Sequence, residues 1–176
     1  MSLTHSLNLP DSDLPSVLSA LQSEKQRRLT EDRLKYYKPY PRQAEFHAAG
    51  ASYRERLLMA ANQVGKTFAA AMELAAHVTG QYPAWWKGYR FDRAIRAWAA
   101  GETAEVVRAT IQLLLLGESG QHGTGCIPRS ALLEVVPARG TAELADIIRV
   151  RHVSGDVSTI SLKAYSGAGT LPGRHN

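Results

Sequence analysis

Ala60-Ala61-Asn62-Gln63-Val64-Gly65-Lys66-Thr67 constrains this chain more than any other stretch of it. A phosphate-binding loop reads Gly, four residues of any kind, Gly, Lys, then Ser or Thr. Here Ala60 stands at the first glycine position, and alanine is small enough for the bend. Gly65 lets the backbone approach a phosphate with no Cβ in the way. The amides from Val64 to Thr67 can form an anion-binding nest that opens onto a helix N-terminus. Lys66 would reach the β- and γ-phosphates, and the Thr67 hydroxyl would bind Mg²⁺. At ordinary residue usage, a chance match in a chain of this length arises roughly once in a hundred. The alternative is an ordinary strand-to-helix turn.

The flanking sequence supplies the context that the motif requires. Arg56–Ala61 (RLLMAA) is a short apolar run suited to a buried strand. Thr67–Thr79 predicts an alanine-rich helix with Phe68, Met72, Ala75 and Ala76 on one face, stopped by Gly80. Further on, Ala94–Ala99 predicts a strand and Ala104–Leu116 a helix ended by Gly117. Gly117–Ser130 reads as a glycine-rich loop and Leu132–Val136 as a strand. Ile147–Val153 and Val157–Lys163 predict a hairpin across Ser154-Gly155-Asp156. This order predicts an α/β domain with a mainly parallel sheet.

Before the loop, Leu14, Val17, Leu18 and Leu21 fit one face of a helix that can start at Ser12 or Asp13. Glu24–Lys38 is highly charged and reads as an exposed helical arm, so residues 1–38 separate from a domain over 39–165. The prolines of Tyr36–Pro41 break the helix, and a short one follows from Arg42 to about Ala51. Tyr40-Pro41-Arg42-Gln43 carries a second chemical signal. A glutamine amide can donate to and accept from an adenine edge at once, and Tyr37 or Tyr40 could stack on the base.

Size and composition fit one soluble domain. The chain has 176 residues, 44% hydrophobic and 21% charged, and a formal net charge of +5. That charge suits a nucleic-acid partner but is spread along the chain and equally suits a solvated basic surface. No apolar run approaches the ~18 residues of a membrane span, and no secretory signal is visible at the N-terminus. One cysteine, Cys126, permits neither an internal disulfide nor a cysteine-built zinc site. Tyr82, Trp85, Trp86, Tyr89, Phe91 and Trp98 interleave with Lys87, Arg90, Arg93 and Arg96. Such a mixture can grip nucleic acid, but a loop that folds back to cover the sheet is the favoured reading, because aromatics dominate cores and interfaces. His77 follows Glu73 at helical spacing and reads as a surface or packed histidine rather than a metal ligand.

Tyr36–His47 (YYKPYPRQAEFH), Ala60–Thr67, Glu73–Trp86 (ELAAHVTGQYPAWW), Phe91-Asp92-Arg93, Ala97–Thr103 (AWAAGET) and Val150–Gly155 together resemble the large subunit of tailed-phage terminases. The resemblance covers roughly residues 30 to 165. It implies an ASCE-type P-loop NTPase that uses ATP and Mg²⁺ to drive double-stranded DNA into a prohead. It implies a portal protein and a terminase small subunit as partners, and the cytoplasm of a bacterial host as the setting. Lys66 becomes the catalytic lysine. Ala60, Ala61, Asn62, Gln63, Val64, Gly65, Lys66 and Thr67 become the phosphate cradle, Thr67 the Mg²⁺ residue, and Gln43 the adenine reader.

Two departures qualify that expectation. Asn62 and Gln63 stand where some terminases have an arginine. No apolar strand ending in Asp-Glu follows the loop, and the nuclease carboxylates of the family are absent. The expectation is therefore a truncated or frame-shifted product, with Ser166–Asn176 out of frame and the sheet incomplete at its C-terminal end. The competing readings are a nucleotide-binding or interaction module that does not hydrolyse, and a small kinase.

Overall fold

The structure is a computed structural model that describes residues 14–61, 63–140 and 143–165. Asn62, the helix start at Ser12 or Asp13, and the Ser166–Asn176 tail lie outside the described residues. Chain order is α1 (Leu14–Glu31), α2 (Arg33–Tyr36), α3 (Pro41–Ala49), α4 (Lys66–Thr79), β1 (Arg96–Gly101), α5 (Ala104–Val106), α6 (Leu113–Leu116), β2 (Leu132–Pro137), β3 (Ala145–Arg151) and β4 (Val157–Ala164). Between α5 and α6 the helix runs on through π-type turns over Val107–Gln112.

The four strands form one sheet in the order β1-β4-β3-β2. It is a mixed sheet, and this corrects the expectation of a mainly parallel one. Only β1 and β4 are parallel; β4–β3 and β3–β2 are antiparallel. Connection length is the reason. Short loops join β2 to β3 and β3 to β4, and a parallel pairing needs a crossover of a dozen or more residues. The chain between β1 and β4 is long enough, because it carries α5, α6 and the hairpin strands. The β3–β4 hairpin forms as its sequence predicts, with Gly155 at φ 96° in the turn.

A second correction concerns Arg56–Ala61. It pairs with no strand among the described residues, and Leu57 and Met59 are 82% and 79% exposed. A strand needs a ladder neighbour, and here Leu58 lines a cleft of about 560 Å³ together with Trp98, Ala99 and Ala100 of β1 instead of pairing with that strand.

α4 is the spine of the core. Ala71, Met72, Ala75, Ala76 and Val78 are buried on it, in one cluster with Leu115 and Leu116 of α6, Ile127 of the following loop, and Ile148, Val150, Ile160 and Leu162 of β3 and β4. Gly80 ends α4 in the left-handed conformation, φ 71°. The stripe Leu14, Leu18 and Leu21 of α1 stays exposed, whereas Leu34 of α2 and Tyr37 belong to the core. The aromatic loop after α4 packs as a structural element: Trp86 is buried and its ring meets His47 and His77. Tyr89 and Trp98 remain exposed.

Candidate functional site

Gly65 is the N-cap of α4 at φ 77°, ψ 25°. This is the left-handed region that glycine enters without steric cost. Gln63 also has a positive φ, 62°, so the backbone coils tightly just before α4. The first N–H groups of any helix lack intrahelical partners, and here they belong to Lys66, Thr67 and Phe68. Lys66 is the first residue of α4 and reaches back across the loop. Its ammonium donates to the carbonyls of Ala60 and Ala61, each 2.6 Å away. Thr67 is exposed and lines the α4–β1 cleft beside Lys66. Val64 is partly exposed at the rim.

α3 approaches the loop from the other side. Pro41 occupies its first position, where the missing N–H costs nothing. Gln43 is buried and its amide is fully engaged. Oε1 accepts from the Tyr40 amide at 3.0 Å and from the Tyr37 hydroxyl at 3.2 Å. Nε2 donates to the carbonyls of Val64 and Gly65, both at 3.3 Å. A second cavity, about 590 Å³, lies here and is lined by Tyr36, Tyr37, Tyr40, Gln43, Gln63 and Gly65, among others. Tyr40 is 70% exposed at its edge. The loop thus stands between two cavities, each in the size range of small-molecule sites.

Beneath the site lies a polar cluster of which the sequence pointed only to Glu73 and His77. Glu73, in the middle of α4, accepts from His47 Nδ1 at 2.7 Å and pairs with the Arg56 guanidinium. His77 Nε2 lies 3.4 Å from the same carboxylate. Burial by itself raises the Glu73 carboxyl, but the hydrogen bonds from His47, His77 and Arg56 outweigh it and hold the group well below the usual carboxylate range. Tyr37 completes the cluster through its hydroxyl, 3.1 Å from His47 Nε2. Burial pushes that hydroxyl up to about 12, with the charge on Glu73 adding to the effect. One signal pointed this way: a carboxylate in the otherwise apolar run Ala69–Val78, one helical turn before His77. Cys126 is fully buried, and burial pushes its thiol up to about 12, which removes it as a nucleophile.

The sequence-predicted residues Gln43, Ala60, Ala61, Gln63, Val64, Gly65, Lys66 and Thr67 therefore meet at one place, the junction of α3, the loop and α4. No helix among the described residues is long and apolar enough to cross a membrane.

Comparison with known proteins bears on this junction. The family model described as "Terminase large subunit, T4likevirus-type, N-terminal" matches residues 57–165. The protein "Terminase, large subunit" of Salmonella phage P22 is 35% identical over 179 aligned residues, which cover 90% of this chain and 36% of that protein. The chain thus spans about a third of the length of that relative. No solved structure matches it. The family match extends through the loop, α4 and the whole sheet, and the chain belongs to the terminase large subunit family.

Proposed function

We propose that this chain is the nucleotide-binding part of a viral DNA-packaging motor, built as a P-loop NTPase. One observation carries the reading: left-handed Gly65 caps α4 directly after a tight loop, and Lys66 folds its ammonium back over that loop onto the Ala60 and Ala61 carbonyls. The two carbonyls that Lys66 now contacts show that the ammonium sits over the loop, where phosphate oxygens would replace them as acceptors. The residues fit Mg-ATP on that ground. Lys66, with the amides of Val64 to Thr67, would hold the phosphates, while Thr67 would offer its hydroxyl to Mg²⁺. Mg²⁺ commonly takes one or two protein ligands and completes its shell with phosphates and water. The metal supplies charge neutralisation at the phosphates. The cavity between Tyr36, Tyr40 and Gln43 would take the base, with an exposed tyrosine face to stack on it.

A second reading has a specific observation in its favour. Among the residues that line the α4–β1 cleft, the one carboxylate is Glu73, and it is already committed to His47 and Arg56. Phosphate positioning is therefore in place without a free carboxylate to activate water. On that ground this chain by itself binds nucleotide and hydrolyses it little. Double-stranded DNA, a portal protein and a small subunit are the partners proposed by kinship, in the host cytoplasm.

Calorimetry with Mg-ATP tests the reading. The wild-type chain should bind, and Lys66→Ala should bind far more weakly with unchanged far-UV circular dichroism. Equal affinity in both would overturn it. A robust Lys66-dependent ATPase rate would overturn the non-hydrolysing reading alone.

A further inference from the structure

Gln43 Oε1 and an ionised Glu73 carboxylate can only accept hydrogen bonds. Tyr37 has one hydroxyl proton, and the Gln43 oxygen lies 3.2 Å away on one side and His47 Nε2 3.1 Å away on the other. When that proton goes to Gln43, His47 must donate to the tyrosine oxygen from Nε2 and to Glu73 from Nδ1. The negative charge on Glu73 is what favours this arrangement, and Arg56 keeps that charge in place. The result is one directed series of donors, from His47 through Tyr37 to Gln43, anchored at Glu73. It ends at the two carbonyls, Val64 and Gly65, that form the tight part of the phosphate loop. All four hydrogen-bonding positions of the Gln43 amide are met in this way, two of them by the loop.

We propose that Glu73 is a positioning residue for the phosphate loop, acting through His47, Tyr37 and Gln43. The proposal rests on the nucleotide-site reading above. On this view the amide of Gln43 braces the loop, and contact with a base edge would require it to leave the Val64 and Gly65 carbonyls. Loss of the brace should weaken anything that uses the loop, whether or not it carries a base. Phe68 and Trp85 pack edge-on against the Tyr37 ring, so Tyr37→Phe removes the hydroxyl and keeps the ring contacts.

The test titrates the full chain with Mg-ATP, Mg-GTP and Mg-tripolyphosphate, the last a probe with no base. It compares wild type with Tyr37→Phe, Gln43→Ala, Glu73→Gln and Lys66→Ala. Tyr37→Phe and Gln43→Ala should weaken all three probes by a similar factor, about three- to tenfold for one hydrogen bond. Amide exchange should quicken at Val64–Lys66 and stay unchanged in the interior of α4, which a general loss of stability would not produce. Tyr37→Phe combined with Glu73→Gln should be no weaker than the worse single variant, because both cut one series. If Glu73→Gln does not fold, Tyr37→Phe decides alone. Unchanged tripolyphosphate affinity in Tyr37→Phe and Gln43→Ala overturns the proposal, and a loss confined to ATP assigns Gln43 to the base instead. If wild type binds none of the probes, or Lys66→Ala changes nothing, the nucleotide reading fails and the proposal falls with it.

Discussion

Lys66, the first residue of α4, donates from its ammonium to the carbonyl of Ala60, 2.6 Å away at the far end of the loop. The contact spans the whole phosphate motif and repeats at Ala61. A bound phosphate would exchange two neutral carbonyl acceptors for anionic oxygens. The ammonium's bonds to the carbonyls are already charge-assisted, and anionic oxygens add attraction between opposite charges, so the exchange favours the ligand.

Lys66→Ala should therefore lower Mg-ATP affinity by about ten- to a hundredfold, the range for losing charged hydrogen bonds at one side chain. Calorimetry reads the change. The helix should persist, because Lys66 is the first residue of α4 and alanine is a better helix former. An affinity within twofold of wild type would place the phosphates elsewhere.

Acid should destabilise the protein through Glu73. Its carboxyl is held below the ordinary value of 4.5 in the folded chain. As pH falls through that value the unfolded chain takes up the proton first. The stability contributed by Glu73 is thus fully present above about pH 4.5 and is lost as pH drops further toward the folded-state value. Urea unfolding at pH 7 and pH 4 should show the loss in wild type. Glu73→Gln should be less stable at pH 7, by about 3–5 kcal/mol for breaking a buried pair, with a flatter acid limb. An equally steep acid limb in the variant would assign the effect to other carboxylates.

What the sequence disclosed, and what it hid, divides by range. The tight loop before α4, α4 itself, the Ala104–Leu116 helix and the β3–β4 hairpin rest on neighbours within a few residues, and a local pattern suffices for each. The turn at Ser154-Gly155-Asp156 shows this, since Gly155 takes the φ of 96° that a tight reversal needs. The sheet's mixed character depends on which strands meet across tens of residues, as when Arg96 pairs with Thr159. No local pattern carries that. Arg56–Ala61 has a strand's composition but lacks a strand partner among the described residues, so composition misleads there. The Glu73 cluster joins residues from four parts of the chain, Tyr37, His47, Arg56 and Glu73, and only the fold brings them within reach.

Gly80→Ala should be destabilising with no effect on the phosphate loop. Gly80 has φ 71°, and a Cβ there would come within 2.5 Å of His152 Nε2 and of Val153 Cγ2. His152 is buried and cannot easily yield. The left-handed backbone alone costs a residue with a side chain about 1–3 kcal/mol, and the clash adds to it. α4 places Gly80 roughly 20 Å from Gly65, at about 1.5 Å per residue. Chemical denaturation should show a lower midpoint, while Mg-ATP affinity per folded molecule stays at the wild-type value. A midpoint equal to wild type would mean that the β3–β4 turn shifts to accept the methyl group.

The edge of β1 that no described strand covers should make the chain self-associate. β1 pairs with β4 on one side, and on its other side no described strand completes the ladder. Unpaired strand edges recruit other strands unless charge, proline or a covering element blunts them. Here the edge carries Trp98, 79% exposed, and looks across the cleft to Leu58 with the exposed Leu57 and Met59 close by in sequence. Arg96 is the one charge on β1, and it sits at the strand's first position, away from the apolar part. Trp98→Lys places a second charge in the middle of the edge, where the pairing of another strand would have to bury it. Sedimentation at increasing protein concentration should show wild type moving to larger species. Trp98→Lys should remain monomeric over the same range, with the same far-UV circular dichroism, because Trp98 is outside the core. A wild-type chain that stays monomeric throughout would show that the edge is already protected. Association undiminished in Trp98→Lys would move the contact to the exposed leucine stripe of α1.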